Sequence, residues 1–171
     1  MGREIINKVA NSGLITIDLA DYISQKPIEE FDLKAFLFKD CLLKEKMFRT
    51  ALKEFDFSKY QNKVAAVFCS SDAIIPMWSY MLVSSYLSQV CSHIHFGRKE
   101  EVFQQLILKN INSINADAFN NKKVIIKGCG NIPLSESLYM AITQKLQSSV
   151  ASLMFGEACS AVPVYKKKNE S

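Results

Sequence analysis

The spacing of apolar and polar positions is clearest in the second half of the chain. Lys63–Cys69 (KVAAVFC) is a short, β-rich apolar run that stops at Ser70-Ser71-Asp72. Ile75–Cys91 has helical length, with Met77, Trp78, Met81, Leu82, Leu87 and Val90 close to the helical period, which predicts that this cluster, Tyr80 included, packs into a core. His93–Phe96 (HIHF) reads as a strand closed by Gly97, and Arg98–Ile111 as a helix with Val102, Leu106 and Ile107 on one face. Lys123–Lys127 (KVIIK) is a further strand that runs into Gly128-Cys129-Gly130-Asn131. Pro133 and Ser135 open a helix through Val150, with Ser135 and Glu136 suited to its first turn. Ser152–Phe155 is a last strand, followed by Gly156-Glu157-Ala158-Cys159.

Strand and helix alternate throughout this region, which is the pattern of βαβ units and a parallel sheet covered on both faces. The expected fold is therefore α/β and three-layered. A mainly parallel sheet of about 4–6 strands would be flanked by helices in a flavodoxin-like or Rossmann-like manner. The first 60 residues are less regular. Leu14–Leu19 alternates like a strand, Phe38–Leu43 reads as another, Lys44–Phe55 has helical spacing, and Pro27–Asp32 looks like a connection. One domain over residues 1–171 is expected, with an N-terminal elaboration over 1–60 and a basic tail over 164–171. No internal repeat is visible beyond the βαβ cycle.

Composition narrows the function classes. The chain has 171 residues, 49% of them hydrophobic and 22% charged, so it can bury a core without disulfides or a structural metal. Lys and Arg exceed Asp and Glu by only four, and half of that excess lies in the closing stretch with Lys166, Lys167 and Lys168. A dedicated nucleic-acid binder needs more than this. The longest apolar stretch, Ala73–Leu87, is interrupted by Pro76, Ser79, Ser84 and Ser85, which excludes a membrane span. Arg3, Glu4, Asn7 and Lys8 interrupt the start where a signal peptide would be apolar, and Ile6 stands where acylation needs Ser or Thr. A cytoplasmic protein is expected.

Five widely spaced cysteines favour thiols or metal ligands over a disulfide framework. Three of them follow strands: Cys69 ends the first, Cys129 lies two residues beyond the third, and Cys159 four beyond the fourth. In a parallel sheet the strand carboxyl ends share one edge, where ligands bind. If the strand order places these strands side by side, the three sulfurs converge. Such a set suits zinc or an iron–sulfur cluster, with Asp72 or Glu157 as a fourth or supporting ligand. Lys127, Gly128, Gly130 and Gly156 would form the surrounding ligand loops, although they match neither the dinucleotide nor the P-loop fingerprint. The competing reading is three packed thiols, as expected for Cys41 and Cys91. His93 and His95 share one face of their strand, away from its carboxyl end, and read as packing or surface residues.

Four segments carry a resemblance. Asn7–Ile15 (NKVANSGLI), Cys69–Pro76 (CSSDAIIP), Ile125–Cys129 (IIKGC) and Phe155–Ser160 (FGEACS), with the closing Val162–Lys167 (VPVYKK), resemble a bacterial family, the domain-of-unknown-function family 2480. The resemblance supplies no reaction. It implies that Cys69, Cys129 and Cys159 belong to one site, and the genetic context of such proteins implies a link to iron–sulfur assembly.

The functional expectation is a cytosolic protein with a three-cysteine metal or iron–sulfur site, an accessory to cluster assembly with a protein partner there. The alternatives are a thiol enzyme or transfer protein using one strand-end cysteine, activated by a helix N-terminus or Lys127, and a non-catalytic interaction module.

Overall fold

The computed structural model describes residues 13–128 and 133–168. The chain divides into two compact units: Ser24–Gln105 forms an inserted unit, and the residues before and after it form a split unit. Within the described residues the elements are β1 (Leu14–Asp18), β2 (Ile28–Asp32), α1 (Glu45–Glu54), β3 (Val64–Phe68), α2 (Met77–Leu87), β4 (His93–Phe96), α3 (Lys99–Asn112), β5 (Lys123–Lys127), α4 (Glu136–Leu146), β6 (Ser152–Phe155) and β7 (Val162–Lys166). The fold is mixed α/β and mainly parallel, as the alternation predicts.

The strands form two sheets, however, where the sequence pattern led to one. The inserted unit has the order β2-β3-β4, all parallel; the split unit has β1-β5-β6-β7, parallel except for β7 against β6. The Lys63–Cys69 and Lys123–Lys127 strands are thus each central to a different sheet, with both edges already paired. Pro27–Asp32, expected as a connection, contributes β2. Phe38–Leu43 is not a strand: Phe38 and Leu42 form one antiparallel bridge around Lys39 and Asp40, both at positive φ. The tail expected from residue 164 begins inside β7.

The two units repeat one another. Residues 44–97 superimpose in sequence on 103–156 with a constant shift of 59. β3, α2 and β4 map onto β5, α4 and β6; Phe48 and Leu52 of α1 map onto Ile107 and Ile111 of α3, and all four are buried. Asn62 and Asn121 both adopt left-handed φ (59° and 55°), and Gly97 and Gly156 sit at 128° and 111°. The hydrogen bonds follow the same shift: Gly97 N to Val67 O and Gly156 N to Ile126 O are both 3.0 Å. β1 and β2 correspond with a shift of 14, and each ends in an Asp-Leu pair, Asp18-Leu19 and Asp32-Leu33. Between residues 44–97 and 103–156 identity survives only at Asn62/Asn121, Lys63/Lys122, Tyr80/Tyr139, Met81/Met140, Leu87/Leu146, Phe96/Phe155 and Gly97/Gly156. That is too little for the repeat to be read along the sequence.

The core of the inserted unit is aromatic. Phe31 of β2 is buried against Phe36, Phe55, Phe57 and Tyr60, with ring centroids 5.3, 5.5, 6.2 and 5.7 Å away. The buried Tyr60 hydroxyl donates to the Glu30 carbonyl at 2.9 Å, which satisfies its polar end. The split unit instead buries aliphatic residues, among them Ile17, Leu19, Val124, Ile126, Leu138, Ile142 and Leu153.

Of the cluster around helix α2 expected in the core, Leu87 is buried and Trp78, Tyr80, Leu82 and Val90 pack against the inserted unit's core, but Met77 and Met81 do not. Ser79, Val83 and Leu87 are buried, whereas Met77 is 75% and Met81 73% exposed. The helix is apolar nearly all round, so its periodicity could not select a face. The buried Ser79 hydroxyl is satisfied by the Pro76 carbonyl at 2.5 Å. Cys41, expected in a core, is exposed; Cys91 is half-buried and packs against the inserted unit's core.

Candidate functional site

Parallel pairing brings the carboxyl ends of β1, β5 and β6 to one edge of the split unit, with Asp18 opposite Lys127 and Ile126 opposite Phe155. Asp18 caps the 3₁₀ turn that follows β1, accepting from Ala20 N at 2.9 Å. Its second oxygen lies 3.5 Å from Lys127 Nζ, which is also 3.8 Å from Glu157 Oε1. Lys127 therefore stands between two carboxylates, and the cluster carries a net negative charge. That arrangement suits a cation better than an anion, and it occupies the ammonium that a thiolate would otherwise use.

Two glycines shape this edge. A β-carbon on Gly128 would collide with the Tyr139 hydroxyl and come within 2.8 Å of Leu134 Cδ1. Gly156 turns the chain out of β6 with a positive φ that side chains disfavour. The following turn is closed by Ser160 N donating to Glu157 O at 2.9 Å, and Cys159 lies exposed within it. Cys129 and Gly130 fall outside the described residues.

The inserted unit builds its own edge from β2, β3 and β4. Asp32 repeats the capping role, accepting from Lys34 N and from Ser70 N, both at 2.9 Å. Its other oxygen accepts from the Ser70 hydroxyl at 2.5 Å. Burial opposes ionisation of Asp32, but the bonds from Ser70 and Lys34, with the nearby Arg98 charge, outweigh it and hold the carboxyl below its usual range. The Arg98 guanidinium lies over the Phe68 ring at 4.8 Å. Ser71 Oγ donates to Asp40 O at 2.6 Å, tying the loop down a second time. Cys69 thus begins a clamped loop. It is half-buried against the unit's core, and Asp72, three residues later, is exposed. Burial pushes the Tyr80 hydroxyl up, and the neighbouring Cys69 adds to the effect.

The convergence expected of Cys69, Cys129 and Cys159 relied on three adjacent strands. Only the strands leading to Cys129 and Cys159 are neighbours; β3 is bonded to β2 and β4, in the other sheet. Among the described residues no group of three or more His, Cys, Asp or Glu is arranged to hold a metal ion. His93 and His95 do share a side of β4, with ring centroids 6.5 Å apart, and His95 Nδ1 lies 3.2 Å from Gln105 Oε1.

The residues that sequence reasoning missed are Asp18 and Asp32. Their signal was present, since an Asp-Leu pair ends each alternating run, and an aspartate there caps a turn by bonding the backbone two residues on.

A profile of one family covers nearly the whole chain, residues 3–167. The chain belongs to DUF2480, described as a protein of unknown function. The family is the one that the four sequence segments resemble. No curated protein and no solved structure matches the chain. Membership in DUF2480 therefore agrees with the motifs around Cys69, Cys129 and Cys159 and assigns them no chemistry. No described helix is long and apolar enough to cross a membrane.

Proposed function

We propose that this chain handles a soft metal ion or an iron–sulfur species through the cysteines at the carboxyl edge of the split unit, as an accessory to iron–sulfur cluster assembly in the cytoplasm. One observation carries the reading: β5 and β6 are paired, parallel neighbours, and their outgoing loops contain Cys129 and Cys159. Thiolates suit zinc or an iron–sulfur cluster, and the surplus carboxylate of Asp18, Lys127 and Glu157 favours a cation at the same edge. Each unit serves as a flavodoxin-like or Rossmann-like fragment that offers its strand carboxyl ends to a ligand. Cys69 is the corresponding thiol of the inserted unit, with Asp72 in a supporting role there and Glu157 in the split unit. The four described cysteines are free, in keeping with a reducing compartment.

Anaerobic purification followed by metal analysis and visible absorption tests the proposal. The expected result is bound zinc or iron that Cys129→Ser and Cys159→Ser each remove. Colourless, metal-free protein that takes up neither added zinc nor iron would refute it.

A second reading has its own support in the clamp on the Cys69 loop. Asp32 fixes Ser70 through backbone and side chain, so the thiol is held in one place, as a nucleophile requires. Fast, selective alkylation of Cys69 near neutral pH is its signature, and slow labelling of Cys69 would dismiss it.

A further inference from the structure

Of the seven positions at which residues 44–97 and 103–156 remain identical, three cluster in each unit: Tyr80/Tyr139, Met81/Met140 and Phe96/Phe155. Asn62/Asn121 and Gly97/Gly156 adopt positive φ, and Leu87/Leu146 are buried. Tyr80, Met81 and Phe96, by contrast, form a surface, as do Tyr139, Met140 and Phe155. Tyr80 meets Phe96 edge-on at 5.6 Å and 79°, and Tyr139 meets Phe155 at 5.6 Å and 83°. Met81 and Met140 are 73% and 63% exposed, and Phe96 and Phe155 are 69% and 47% exposed. Each trio lines an apolar groove. Two diverged halves have kept the same apolar trio, its Met and Phe exposed and its Tyr half-buried, which marks a binding surface.

The split unit shows what such a groove accepts. There β7 runs antiparallel along the outer edge of β6, and its Val164 lines the groove beside Tyr139, Met140 and Phe155. In the inserted unit β4 ends the sheet, and among the described residues no strand runs along it. Val64 N donates to Pro27 O on the β2 side and Gly97 N to Val67 O on the β3 side, so strand alternation turns the backbone groups of His93 and His95 to β3 and those of Ile94 and Phe96 outward. The counterpart of Ile94 in the split unit, Leu153, is paired with Tyr165 of β7. The β4 sequence HIHF carries neither the lysine nor the proline that protects an exposed edge.

We propose that the β4 edge is a strand-addition site for a partner protein. An extended segment with apolar side chains at alternate positions pairs antiparallel to β4 and sets one of them on Tyr80, Met81 and Phe96, as β7 does on the other unit. Main-chain bonds supply affinity and the trio supplies selectivity. A second copy of this chain is a poorer occupant, because its own matching strand is already paired to β6. The proposal is independent of the cysteine chemistry.

The test uses a fluorescein-labelled peptide of residues 161–168 (AVPVYKKK) and anisotropy with the full-length chain. Saturable binding is expected, weakened tenfold or more by Ile94→Pro and by Met81→Asp and unchanged by Met140→Asp. Circular dichroism checks each variant. Met81 is exposed, so Met81→Asp remains informative even if Ile94→Pro does not fold. The proposal is overturned if the peptide does not saturate, if a scrambled peptide of the same composition binds equally, or if Met140→Asp weakens binding as much as Met81→Asp. It is also overturned if the chain sediments as a dimer that Met81→Asp dissociates, which would give the edge to a second copy.

Discussion

The Tyr139 hydroxyl fills the space into which any side chain on Gly128 would project. Gly128 is therefore a packing requirement of the split unit's edge, set by a tyrosine that itself rests on Phe155. In the other repeat the corresponding pair is Cys69 and Tyr80, so the same place there admits a side chain.

Gly128→Ala should destabilise the chain by about 1–3 kcal/mol, the usual cost of overfilling a packed site. In a Tyr139→Phe background the cost should fall, because the colliding oxygen is gone. Urea denaturation of the four proteins in a double-mutant cycle measures the coupling, and strict additivity would exclude this contact as the cause.

Removing the Tyr60 hydroxyl isolates one hydrogen bond of the aromatic core. Tyr60→Phe should cost about 1 kcal/mol, and Phe31→Ala, which empties the ring cluster, about 3–5 kcal/mol. Burial holds the Tyr60 hydroxyl well above its ordinary value, with the Glu29 charge adding to it. Its contribution to stability is thus complete below the ordinary tyrosine pKa of about 10 and is lost as the pH rises beyond it. Absorbance titration of the tyrosinate should show one residue ionising only as the fold opens.

Asp32 behaves in the opposite sense. Its carboxyl is held below the usual range, so its stabilisation is present above the ordinary carboxylate pKa of about 4 and disappears as the pH falls through the lowered one. Ser70→Ala removes the hydroxyl donor. The variant should be less stable than the parent near neutral pH and converge with it in acid, which denaturation midpoints across that range will show.

Thiol labelling should rank the described cysteines. Cys41 and Cys159 are exposed and should alkylate first. Cys91 should be slowest, since burial pushes its thiol up and depletes the thiolate. Mass-spectrometric time courses with iodoacetamide provide the order, and fast Cys91 would contradict its packing.

The strands His93–Phe96, Lys123–Lys127 and Ser152–Phe155 were legible to the residue because each is a short apolar run closed by glycine or by the turn that precedes a helix. β2 was not, because Glu29 and Glu30 break its apolar pattern; the structure explains Glu29 by its ion pair with Lys63 at 2.9 Å, a partner 34 positions on. β7 was obscured by Pro163, which an edge strand tolerates. Strand order was the larger loss. Periodicity reports which residues are strands and says nothing of whose edge they join, so three strand-end cysteines looked equivalent when β3 belonged to another sheet. The repeat was hidden for a related reason: burial and turn geometry constrain residue class, and Phe48 can become Ile107 without consequence for the core.

The insertion of one unit into the other has a temporal consequence. β1 leaves the ribosome first, yet its partner β5 is synthesised only after the whole of Ser24–Gln105. The inserted unit has all three of its strands in one continuous stretch and can close short loops at once, whereas the split unit must wait and then close a long one. During synthesis β1 is a lone strand with an unsatisfied backbone, and the inserted unit assembles while it waits. A circular permutant that places residues 13–23 after Lys168 would shorten the loop between β5 and β1, and it should refold faster than the natural order.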